Sequence, residues 1–238
     1  MYESILFLEV ILFFIVFSST QSLAIQNSLP KGAGLLINVQ TDDLDRYISE
    51  LTKNALILRQ ENVVAAGYCI VKTGNNYSGE VSVWQYFMSM SDLMRTVDNS
   101  DPVNNASLNF DKMRDVRYLS IWKDMKEVNI KPGFEMVEKW KVPGDKLEEF
   151  VKAVTSLETS LKDLSGVEFE MTAAFNVGSG AKETDLIMTR WITSNGETMG
   201  KLLDLVYDSV GYLPEYNNLL SLAEKVNSQL EECTAVYD

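Results

Sequence analysis

The chain contains no histidine among its 238 residues, so the side chain whose unperturbed pKa lies nearest neutrality takes no part in its chemistry. Ser-His-Asp and Cys-His mechanisms, histidine-ligated zinc, facial-triad iron and histidine-ligated haem are excluded together. Acid–base work falls to Asp, Glu, Lys, Tyr and Cys. In the stretch from Val167 to Met171, Glu168 and Glu170 alternate with apolar residues, which in a strand sets both carboxylates on one face about 7 Å apart. Turned into a cavity, they repel each other and lose water, and one pKa rises into the range of a general acid or base. Turned to solvent, they are solubilising charges with Lys139 and Lys141 as partners, which is the favoured reading; they are the only catalytic candidates, and weak ones. Arg190, among Leu186, Met188 and Ile192, is either an anion anchor or, more simply, half of a salt bridge.

The aromatic residues Tyr68, Trp84, Tyr86, Tyr118 and Trp122, with Trp140 and Trp191 further along, form the candidate ligand-binding set. Small-molecule cavities are built from such aromatic walls with a few polar tips, although strand aromatics more often serve as packing. Cys69 and Cys233 are far apart in sequence and lie among β-type residues. Two separate buried thiols are favoured over a disulfide, and without a CxxC or a third ligand no metal site is expected. No motif implies a cofactor. The run from Asn176 to Gly180 resembles a phosphate-binding loop, but that loop needs a following helix. A strand follows here, so a hairpin turn is expected.

The chain carries 34 Asp and Glu against 21 Lys and Arg, a formal charge of -13. No basic face is visible, so nucleic acid is not an expected partner. At 46% hydrophobic and 23% charged residues the composition is globular. From Ile5 to Phe17 the chain is apolar except for Glu9, a run too short for a bilayer span of ~20 residues but suited to a signal peptide. Ser22-Leu23-Ala24 offers small residues for cleavage. The expectation is a signal peptide over residues 1–24 and a secreted or periplasmic protein, free of the membrane once cleaved. Because no Lys or Arg precedes the run, an uncleaved membrane anchor is the alternative.

The elements that must position these residues read as strand, helix, strand, strand, helix, strand, and then again. Strands are expected from Gly34 to Gln40, Val63 to Lys72, Glu80 to Met88 and Arg117 to Lys123, with helices after a Thr41 N-cap and from Ser91 to Arg114. The second set has strands from Glu135 to Val142, Val167 to Val177, Asp185 to Thr193 and Cys233 to Tyr237. Its helices follow Pro143-Gly144 and run from Glu197 to Leu230, interrupted near Gly211 to Pro214. At one constant offset, Leu44, Tyr47, Ile48, Leu51 and Leu58 fall on Leu147, Phe150, Val151, Val154 and Leu161, the stripe of an amphipathic helix. At a nearby offset Val81, Val83 and Phe87 fall on Leu186, Met188 and Ile192.

A βαββαβ order is the ferredoxin-like arrangement, and strands apolar on both faces need cover on both. The expected fold is therefore α+β, with two tandem ferredoxin-like units, residues 31–126 and 133–238, packed sheet to sheet as a single-chain α/β barrel. With its repeated order and aromatic strands, the chain resembles the dimeric α/β-barrel superfamily, which includes the antibiotic-biosynthesis-monooxygenase-like and NIPSNAP-like families. The resemblance implies cofactor-free oxygenases, isomerases, haem-binding enzymes or proteins without known activity, and the missing histidine sets this chain apart from members that use one. Three readings follow: an exported protein binding a small apolar or aromatic molecule in the barrel, which leads; a cofactor-independent monooxygenase or isomerase; and a structural or interaction protein with a filled barrel. Whether it is an enzyme, and its oligomeric state, stay open at this level.

Overall fold

The computed structural model describes residues 31–99, 110, 112–129, 131–208 and 213–237; the expected signal peptide lies outside them. Eight strands are present among these residues: β1 (Ala33–Gln40), β2 (Val63–Thr73), β3 (Glu80–Phe87), β4 (Asp115–Asp124), β5 (Phe134–Lys141), β6 (Glu170–Gly178), β7 (Leu186–Thr193) and β8 (Glu224–Tyr237). They close one antiparallel barrel in the order β1-β3-β2-β8-β5-β7-β6-β4. Closure satisfies both edges of every strand, so no ladder is left open to a second chain. The first four strands run β4-β1-β3-β2 and the last four β8-β5-β7-β6. Two seams join them, β2 on β8 and β4 on β6.

Five helices among the described residues lie outside the barrel: α1 (Leu44–Lys53), α2 (Met90–Asn99), α3 (Leu147–Ser165), α4 (Gly196–Asp208) and α5 (Pro214–Leu222). Each presents an apolar stripe to the outer face of the strands, and this divides the core in two. Tyr47 and Leu51 of α1 and Leu93 of α2 cover Leu35, Ile37, Val81, Val83 and Phe87. Phe150, Val154, Leu157 and Leu161 of α3, with residues of α4 and α5, cover Trp140, Met171, Ile187 and Trp191. Fully burying each such large side chain contributes roughly 1.5–3 kcal/mol. A third, smaller cluster of Trp122, Val137, Ala174 and Met188 lies apart from both.

Several sequence expectations are corrected. The N-cap of α1 is Asp43, whose side chain accepts from the Arg46 N–H, while the Thr41 hydroxyl donates to the Met113 carbonyl. After Lys53 the helix gives way to a 3-10 turn over Ala55–Leu58, so Leu58 joins the core from outside the α-helix. The segment from Glu224 to Leu230, expected as helix, is the first half of β8 and pairs with β5. The hairpin offset is also one residue out. Val81, Val83 and Phe87 face the helices, whereas Met188 and Leu186 belong with the inner cluster. A slip of one residue in a strand exchanges its two faces. Beyond Asn99, the second helix expected in the first set runs largely outside the described residues. The cysteines form a disulfide, correcting the expectation of separate thiols: Cys69 on β2 and Cys233 on β8 are register partners across a seam.

Candidate functional site

Alternation along the strands sends one set of side chains outward to the helices and the other into the barrel. The inward set is unusually polar. It includes Asn38 of β1, Glu80 and Ser82 of β3, Glu135 and Lys139 of β5, Arg190 of β7, and Gln229 and Glu231 of β8. These line a cavity of about 70 Å³ together with Leu36, Trp84, Tyr86, Trp122, Val137, Met188 and the Cys69–Cys233 disulfide. The exposed Lys131 and Pro132 stand at its rim. The lining therefore interleaves apolar and aromatic side chains with ionisable ones, Val137 lying between Glu135 and Lys139 on β5.

Most of the interior charges are paired. Glu135 is fully buried and takes two hydrogen bonds from Arg190, 2.7 Å from Nε and 2.6 Å from Nη2. Desolvation opposes the guanidinium charge, but Glu135, Glu231 and Asp124 outweigh it and hold Arg190 firmly protonated. Glu80 accepts from the backbone and side-chain N–H groups of Asn76 and from Gln229. Glu183, on the β6–β7 connection, pairs with Lys139 and accepts from the Tyr118 hydroxyl at 3.2 Å. Tyr86 donates to Asp124 at 2.6 Å. Burial pushes Asp124 up to about 6 against the lowering influence of Tyr86, Arg190 and Lys123.

Glu231 is the exception. Its residue is 8% exposed, it makes no hydrogen bond or ion pair among the described residues, and burial pushes its carboxyl up to about 7. Glu135 and Glu80 add to the rise, and Lys139 and Arg190 oppose it. Three further buried polar atoms on the cavity residues lack partners: Asn38 Nδ2, Trp84 Nε1 and Glu183 Oε2. Unsatisfied buried groups are scarce in folded proteins; others among the described residues, such as Tyr77 Oη, Arg114 Nε and Asn176 Nδ2, lie away from this cavity.

The aromatic candidates divide by face. Trp84, Tyr86 and Trp122 line the cavity, and Trp122 donates its Nε1–H to Ser120. Tyr118 lies in a wider polar depression at the Lys139–Glu183 end of the barrel. Tyr68, Trp140 and Trp191 lie on the other face, buried beneath the helices. There Trp191, Tyr216 and Lys225 all donate to the fully buried Glu138. Trp84 reaches its place because Gly67 has no side chain: a Cβ there would lie 2.0 Å from the Thr234 carbonyl oxygen and 2.5 Å from the indole.

The carboxylate candidates do not form a pair. Glu168 is exposed and precedes β6, while Glu170 begins the strand and accepts from the Asn129 N–H at 2.8 Å. Arg190 forms a salt bridge, the simpler of its two expected roles, but with Glu135 on the cavity side of the barrel rather than at its periphery. The Gly178–Gly180 segment joins two antiparallel strands, as a hairpin link does. The residues that sequence reasoning missed are Glu231 and Asp124. Glu231 lies two positions before Cys233, the strand spacing that puts both on one face, but that segment reads as the tail of a helix.

No protein-family model matches the chain, and no curated protein does. Solved structures do resemble it. An anthrone oxidase-like protein superposes with a TM-score of 0.58 at 12% identity, covering 86% of this chain and 92% of its own. A protein of Lactobacillus acidophilus assigned as a monooxygenase gives 0.55 at 13% identity, covering 86% and 95%. A variant of the chlorite dismutase of Candidatus Nitrospira defluvii gives 0.53 at 10%, covering 88% and 93%. The likeness is one of fold: the α+β barrel is common to all of them.

Proposed function

We propose that the barrel interior is a binding site for a small molecule with an apolar or aromatic face and a polar edge. The observation that supports it is the set of unpaired polar groups in the wall of one cavity: Asn38 Nδ2, the indole N–H of Trp84, Glu183 Oε2 and the Glu231 carboxyl. Two donors and two carboxylates suit a ligand bearing hydroxyl or carbonyl groups, and Leu36, Trp122, Val137 and Met188 suit its carbon skeleton. The free space of about 70 Å³ is less than half of the ~150 Å³ cavity that takes benzene, so a ring-sized ligand enters only as side chains at the rim shift.

A second reading is a cofactor-independent monooxygenase or isomerase. Glu231, with a pKa near 7, is suited to taking a proton from an acidic hydroxyl or carbon, and it replaces Glu168 and Glu170 in that role. The names carried by two structural neighbours, an oxidase-like protein and a monooxygenase, favour this chemistry. In the same reading, the repeated strand order marks two ferredoxin-like units, residues 31–126 and 133–238, of the dimeric α/β-barrel superfamily. The mature protein is exported after loss of residues 1–24. Among the described residues no helix is long and apolar enough to cross a membrane.

Native mass spectrometry of the protein purified from its own host tests the binding reading. A stoichiometric small molecule, released on denaturation and absent from Trp84→Ala, is the expected result. A clean apo mass, with no shift on soaking in hydroxylated aromatics, favours the filled-barrel structural reading instead.

A further inference from the structure

We infer that the Cys69–Cys233 disulfide is a thiol–disulfide exchange site that opens into the barrel, with Glu231 as its proton donor and acceptor and a small dithiol as its reductant. Two geometric observations carry this. Both cysteines line the cavity rather than the helix-covered face. A Glu231 carboxylate oxygen and the two sulfur atoms all lie within 4.8 Å of one another, and that carboxyl has no other partner among the described residues. A disulfide serving only to tie two strands needs neither a cavity nor an unpaired acid beside it.

The chemistry balances as follows. A thiolate of the dithiol attacks one cysteine sulfur, forming a mixed disulfide and breaking the Cys69–Cys233 bond. The departing cysteine sulfur takes the Glu231 proton and leaves as a thiol. The reductant's second thiol returns its proton to Glu231 and attacks the mixed disulfide, and the other cysteine is released as a thiolate that takes up the proton lost when the first thiolate formed. Two electrons pass from the dithiol, which leaves as a cyclic disulfide, and the protein gains two thiols. A neutral Glu231 helps twice, by protonating the leaving sulfur and by not repelling the incoming thiolate. The charged groups facing Glu231 are Glu135 and Lys139 from β5, Arg190 from β7 and Glu80 from β3. Burial and these neighbours set its pKa at about 7, so the acid form is present at neutral pH.

The test is reduction of the folded full chain by dithiothreitol between pH 5.5 and 8.5, with new thiols trapped by iodoacetamide and counted by mass. The expected rate is linear in dithiothreitol and, per unit of thiolate, falls at least about tenfold as pH rises through Glu231 ionisation. Glu231→Gln removes that inflection, whereas Glu232→Gln, at an exposed position on the opposite face of β8 where the side chain pairs with Lys72, retains it. A rate that saturates at the speed of global unfolding overturns the proposal, because the bond then reacts only when the barrel opens. So does an unchanged pH profile in Glu231→Gln. If that variant does not fold, the wild-type dependence on dithiothreitol concentration decides alone.

Discussion

Glu231 and Asp124 are the residues whose ionisation the barrel alters most usefully, and they predict a pH dependence. Both carboxyls are raised by burial, Asp124 to about 6 and Glu231 to about 7, against ~4 in an unfolded chain. The stability they contribute is therefore complete below the unfolded value and is lost as pH rises through the folded values. The melting temperature should be higher at pH 5 than at pH 8, and Glu231→Gln should shrink the difference. Equal melting temperatures at the two pH values in the wild type would count against the buried, proton-binding state of these groups. At Gly67 the constraint is steric rather than electrostatic. Gly67→Ala sets a methyl group against the Thr234 carbonyl and Trp84 and should cost about 1–3 kcal/mol, read from the urea midpoint, with a shift in tryptophan emission as the indole is displaced.

At the scale of elements, the helices over the second half of the barrel are held by more than apolar contact. Tyr216 of α5 and Lys225 of β8 converge on Glu138 of β5, beneath Trp140 and Trp191. Removing the carboxylate leaves the Lys225 ammonium without its counter-ion in a half-buried site, and losses of this kind run to about 3–5 kcal/mol. Glu138→Ala should therefore unfold at markedly lower denaturant, whereas Glu149→Ala, which removes an exposed pairing between α3 and Lys146 in the turn before it, should leave the midpoint almost unchanged. Comparable losses in the two variants would show that Glu138 is not the anchor of that layer. Periodicity made α3 legible, since its whole apolar stripe meets one core. It failed at β8, where the inward residues Gln229 and Glu231 are polar and the alternation that marks a strand is hidden. The second hairpin was readable in the wrong face by one position because β7 carries apolar residues on both faces, Leu186 and Met188 inward and Ile187 and Trp191 outward.

The whole molecule depends on two seams, and only the β2–β8 seam carries a covalent link among the described residues. The Cys69–Cys233 bond spans 164 residues of sequence, and in the chain-entropy account closing a loop of that size in the unfolded state is worth about 5 kcal/mol. The Cys69→Ser/Cys233→Ser double variant should retain the barrel and lose a large part of that, measured by urea unfolding beside the wild type. A double variant as stable as the wild type would assign the bond to chemistry rather than to structure. Because both cysteines and Glu231 share the cavity wall, a ligand in the barrel should also protect the disulfide from dithiothreitol.

Composition and pattern alone determined that the chain is an α+β protein with amphipathic helices packed on strands, because amphipathic periodicity is a local property; the expectation of strands apolar on both faces gave way to an inner face rich in polar residues. They also determined what the protein lacks: no histidine can be supplied by folding. Tertiary structure alone decided which aromatics see the cavity, since Trp84 and Trp140 look alike in sequence and differ only in which strand face turns inward. It likewise decided the disulfide and the burial of Glu231 beside it. Closing the barrel brings β8 against β2 and encloses a carboxylate that, on an open strand, would be one acid among 34 Asp and Glu.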